Sequence, residues 1–97
     1  MSEPSTYTYE MFRALPIEGH MLVMQDAAYE ATIEEVKQLG SGMREGGAFS
    51  VLINVSPDAP VEQGLFTLRH EDAGSFEIFA VPLAKDDQGV QLEAIFT

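Results

Sequence analysis

The chain has 97 residues, 45% of them hydrophobic, with no cysteine and sixteen Asp and Glu against five Lys and Arg, a formal charge of −11. That length allows one domain, residues 1–97, and the apolar content excludes a disordered tail. The lack of thiols excludes disulfides and thiolate metal sites, no apolar run reaches the roughly 18 residues of a membrane helix, and the acid excess repels phosphate backbones and anionic lipid.

Residues 1–6 read as a frayed terminus, and "MSEPSTYTYE" contains neither the basic nor the apolar region of a secretory leader. With the absence of cysteine, this makes the cytoplasm the expected location. Thr8 can cap a short helix carrying Tyr9, Met11, Phe12, Arg13 and Leu15, which Pro16 ends. "IEGH" turns through Gly19 into a strand over His20–Met24, and Gln25 to Ala27 reverse the chain. The next segment, residues 28–39, fits two patterns. Tyr29, Ala31 and Ile33 alternate as in a strand, whereas Ile33, Val36 and Lys37 fit a helix that Gly40 would cap. A strand here requires a bulge at Glu34–Glu35 to return Val36 to the core face.

"GSGMREGG" is an open loop. "AFSVLINV" then alternates Phe49, Val51, Ile53 and Val55 against Ser50, Leu52 and Asn54, a strand with one strongly apolar face. After the loop "SPDAPVEQG", strands are predicted over Leu65–His70, Ser75–Leu83 and Val90–Phe96. "EDAG" and "AKDDQG" supply the tight turns, with Gly74 suited to a positive φ. The fold expected is mainly β: a small antiparallel barrel or sandwich of about six strands with a short N-terminal helix.

One strand is apolar on both faces. Phe76, Ile78 and Ala80 lie on one, and Phe79, Val81 and Leu83 on the other. A large apolar side chain left in water forfeits roughly 1.5–3 kcal/mol. The second face therefore calls for a cover, either the N-terminal helix through Phe12 and Leu15 or another protein surface.

"AFSVLINV", "EQGLFTLRH", "AGSFEIFAVPL" and "QLEAIFT" resemble successive strands of a family of small bacterial proteins classified as a domain of unknown function. Its members show "FsLlF", "qgxYxLxH", a glycine, "LFLVPV" and "YEAVFN" in that order. The resemblance extends more faintly through "YEMFRAL", "IEGHMLV" and "EEV", so it spans most of the chain. Leu92 stands where the family has an aromatic, Phe66 where it has tyrosine and Thr97 where it has asparagine. The resemblance implies a shared fold. Through gene neighbourhoods with phage-tail-collar-like proteins, it also implies an accessory role in such an assembly. It carries over no catalytic residue.

Candidate chemistry is sparse. His70 and Asp72 form an H-x-D pair that can give a metal two hard ligands, but neither His20 nor Glu93 stands at a recognisable third-ligand spacing. The expectation is a strand-end histidine beside solvated turn acids, with no metal and no cofactor. No "GxSxG" nucleophile turn occurs, "SGMREGG" lacks the ending of a phosphate loop, and "KDDQG" lacks the ligand alternation of a calcium loop. The chain thus reads as non-catalytic.

What remains is contact surface. Met43 and Arg44, flanked by glycines, make an adaptable contact segment. With Phe79, Val81 and His70 they form the expected interaction residues. The expected partner is another protein or a second copy of the chain, not nucleic acid or membrane. The alternative is a small-ligand-binding barrel or minor enzyme using residues near His70. Like-charge repulsion at −11 further predicts that mild acidification toward about pH 5 stabilises the fold.

Overall fold

A computed structural model describes residues 7–40 and 48–96. The terminus expected to fray lies outside them. Six strands follow a single-turn helix: α1 (Tyr9–Arg13), β1 (His20–Met24), β2 (Ala27–Gly40), β3 (Ala48–Val55), β4 (Gly64–His70), β5 (Gly74–Asp86) and β6 (Gly89–Phe96). All neighbours are antiparallel, and the order β1-β2-β3-β6-β5-β4 closes into a barrel through the pairing of β1 with β4. This is the mainly β fold read from the alternation.

The ambiguous segment is strand β2. Ile33 pairs with Ile53 and Glu35 with Leu52, so Glu34 is an extra residue, and Val36 returns inward opposite Val51. The bulge required by the sequence is therefore present. Strand wins over helix because β1 and β3 flank β2 on its two sides, pairing respectively with Ala27–Ala31 and Ala31–Gly40.

Two meanders of one plan make up the barrel. In β1–β2–β3 the long central strand pairs first with β1 and then with β3, and Ala31 is the shared residue. In β4–β5–β6 the long central strand pairs first with β4 and then with β6, and Ala80 is shared. Each central strand carries a register shift shortly after that alanine, between Ile33 and Glu35 in β2 and between Pro82 and Ala84 in β5, and β2 has a second between Gln38 and Gly40. The amino-acid sequence shows no repeat, because what the two halves share is register and bulge position rather than residue identity.

Inward side chains fill the interior. Leu22, Met24, Phe49, Val51, Ile53, Val55, Leu68, Ile78, Val90 and Leu92 are fully buried. At one barrel end the 56–63 connection from β3 to β4, which lie opposite each other in the ring, buries Ala59 against the core. The other end is sealed by α1. Thr8 caps it, its Oγ1 accepting from Met11 N at 3.2 Å, and Pro16 follows within three residues. Phe12 enters the barrel mouth, with ring centroids 5.4 Å from Phe76, 5.4 Å from Phe96 and 5.8 Å from Phe49. Tyr7 packs edge-on against Phe12 and Phe76 at 5.6 Å, and its hydroxyl accepts from Glu77 N at 3.2 Å.

The helix is thus a plug, which removes one of the two expected covers. Phe12 covers the mouth of the barrel, and the second face of β5 stays outside.

Candidate interaction face on the outer wall

Alternation along β5 sends Ile78 and Ala80 inward and leaves Phe79, Val81 and Leu83 on the outside. Register then gathers further apolar groups around them. Leu65 of β4 pairs with Phe79. Val81 pairs with Glu93 of β6, and Ile95 points outward one alternation further along β6. Leu65 is 63% exposed, Phe79 53%, Val81 37%, Leu83 55% and Ile95 55%. Phe79, Val81, Leu83, Glu93 and Ile95 line a groove of about 320 Å³. Isolated exposed apolar residues are ordinary on a protein surface, but contiguous ones are not.

The first meander provides an internal reference. At the same place in the architecture, the outer side of β2 presents Glu30, Thr32, Glu34 and Glu35. Its bulge residue Glu34 accepts from Gln91 Nε2 at 2.9 Å, whereas the β5 bulge presents Leu83. The barrel therefore closes equally well over a polar outer wall.

His70 lies elsewhere, at the β4 end near the plugged mouth, where it pairs with His20 of β1. Its Nδ1 accepts from the backbone N–H groups of Asp72 and Ala73, at 3.0 and 3.2 Å, which closes the turn into Gly74. That nitrogen is therefore already engaged by the turn. The His20 ring lies 4.8 Å from the His70 ring, and its Nε2 donates to the Pro16 carbonyl at 2.6 Å. His20 is 2% exposed, and its Nδ1 is buried without a partner among the described residues. Burial pushes the His20 pKa below the ordinary histidine value. The Pro16 carbonyl opposes that shift, and the neighbouring His70 adds to it.

Of the residues expected to form a contact surface, Phe79 and Val81 stand together, and His70 does not join them. Met43 and Arg44 fall outside the described residues. Leu65, Leu83 and Ile95 complete the patch. Leu83 was visible as the third member of the alternating face, whereas Leu65 and Ile95 needed the strand register. His20 and His70 lie ring to ring, but Asp72 gives His70 its backbone N–H and Glu93 sits in the outer groove, so the four candidate ligands do not come together. Among the described residues no group of three or more His, Cys, Asp or Glu is placed to hold a metal. Nor is any helix among them long and apolar enough to cross a membrane.

The molecule is a small closed antiparallel β-barrel, capped at both ends, with an apolar groove on its outer wall. It belongs to the family described as Domain of unknown function (DUF6916), which matches residues 7–96 and so covers nearly the whole chain. This is the kind of family that the strand motifs imply. No curated protein and no solved structure matches it.

Proposed function

We propose that the protein is a non-catalytic interaction module that docks another protein on the outer wall of β4–β5–β6, as an accessory to a larger assembly. A phage-tail-like or other secreted assembly is the setting that the family resemblance favours. The observation carrying this reading is the groove formed by Phe79, Val81, Leu83 and Ile95, in a position where the first meander is polar. Association through such a face removes apolar area from water, the main favourable term in most protein–protein contacts. A partner that differs from this chain is favoured over a second copy, since two copies would bring together bodies of charge −11. The alternative of a ligand inside the barrel has less support, because inward side chains from every strand occupy that space.

Phe79→Glu tests the reading. Protein carrying this change should keep its circular dichroism spectrum. A partner captured from the native host, purified and titrated back onto wild type, should lose at least about tenfold in affinity for the variant. Binding that survives Phe79→Glu but is lost on changing His70 would refute docking on the outer wall.

A further inference from the structure

We infer that the partner inserts an apolar side chain flanked by lysine or arginine into the groove, so that a cation meets Glu93. This rests on the proposed docking face and specifies the chemistry of its occupant. Among the described residues Glu93 is the one charged residue lining the groove, and it stands directly across from Val81. It is half-buried, and its side chain has no ion pair or hydrogen bond among the described residues. Glu77 lies on the same outer side of β5, two residues from Phe79, and is exposed. A carboxylate among Phe79, Val81, Leu83 and Ile95 loses part of its water when a partner covers the groove. A cation brought by that partner replaces what is lost most fully, by charge and by hydrogen bond together.

The whole-chain charge of −11 acts in the same direction, because it steers basic surfaces toward the protein and repels acidic ones. A second copy has the opposite complementarity. Two such grooves face to face would place Glu93 against its own copy.

The test uses two acetylated, amidated peptides, Lys-Leu-Phe-Leu-Lys and Glu-Leu-Phe-Leu-Glu, titrated into ¹⁵N-labelled protein while amide shifts are followed. The lysine peptide should shift the amides of Phe79, Val81 and Ile95, and should bind about tenfold more tightly than the glutamate peptide at low salt. Glu93→Lys should narrow or reverse that preference, and Phe79→Glu should remove both interactions while the spectrum stays dispersed. Equal binding of the two peptides in wild type, unchanged by Glu93→Lys, would overturn the charge inference and leave the docking face standing. If neither peptide shifts the groove amides, the docking face itself is wrong. A wild-type dimer in sedimentation that Phe79→Glu converts to a folded monomer would make a second copy the occupant and refute the inference.

Discussion

Replacing Phe12 with alanine removes the ring that seals one barrel mouth. Phe12 is 1% exposed and lies within aromatic contact of Tyr7, Phe49, Phe76 and Phe96. Truncating a phenylalanine in such a setting costs about 3–5 kcal/mol, the removed apolar surface and the cavity both contributing. Nothing local can soften the loss. Helix α1 has five residues and does not persist without the packing that Phe12 provides. Released from the mouth, it would also uncover Phe49 and Phe96, whose rings stack at 4.6 Å beneath it.

Domains of this kind hold about 5–15 kcal/mol in total, so the change consumes a large share. At roughly 4–8 °C per kcal/mol for a domain near this size, Tm should fall by about 12 °C or more. Thermal and urea unfolding followed by circular dichroism measure this directly, and Phe12→Leu should recover a substantial part of the loss. A decrease of less than about 3 °C for Phe12→Ala would show that α1 is an appendage and that the mouth is closed without it.

The strand register makes a paired deletion informative. Deleting the bulge residue Glu34 leaves Ile33 and Val36 facing inward and should cost only about 1 kcal/mol, including the bond to Gln91, whereas deleting Thr32 turns Ile33 outward and Glu34 inward and should prevent folding, both read by circular dichroism. Gly89 holds φ +148°, and a Cβ there would lie 2.4 Å from the Val55 carbonyl oxygen, so Gly89→Ala should lower stability by about 1–3 kcal/mol in urea unfolding. Phe79→Glu, on the exposed wall, should alter stability by less than about 1 kcal/mol in the same assay. For His20 the folded-state pKa is depressed, so its contribution is fully present above the unfolded value of 6.5 and is lost as pH falls below it. Taken alone this lowers Tm from pH 7 toward pH 5, against the gain expected from relief of carboxylate repulsion, so His20→Gln, which keeps a donor for the Pro16 carbonyl, should tilt the Tm-versus-pH slope toward greater stability in acid. A slope unchanged by His20→Gln would refute that assignment.

Much of this architecture was legible because alternation in a strand is a local signal. His20–Met24 and Ala48–Val55 were read to the residue, and the Glu34–Glu35 bulge followed from having to bring Val36 back inward. Whether residues 28–39 formed a strand was not legible, since Ile33, Val36 and Lys37 satisfy a helical spacing and only the neighbours β1 and β3 decide it. The plug was half legible. The Thr8 cap and the Pro16 stop bound the helix, but where Phe12 points depends on Phe49, Phe76 and Phe96, up to 84 residues away, meeting at one barrel mouth. The role of His70 was readable as a strand end. Its contact with His20 was not, because it arises from the β1–β4 pairing that closes the barrel. That burial of His20 works against the stabilisation by acid expected from net charge alone.

Both meanders set a long strand between two shorter ones and kink it just beyond a shared alanine, so their outer walls meet the same demands from the barrel. At the kink the first meander presents Glu34 and Glu35, which water solvates without penalty, and the second presents Leu83 and Ala84. If barrel closure required an apolar residue on the outer side of a bulge, the first meander would not fold as it does. Closure therefore does not select Leu83, and the same holds for Phe79 and Val81, whose inward neighbours Ile78 and Ala80 already supply the core. Held in water, these side chains add nothing to the stability of the isolated chain and make it more adhesive. On the proposed reading, a high negative charge keeps such a surface from indiscriminate association, while Glu93 favours one kind of neighbour, a basic one. The groove and the charge thus have a common physical reading as a selective contact, in which apolar area supplies affinity and carboxylates restrict what is admitted.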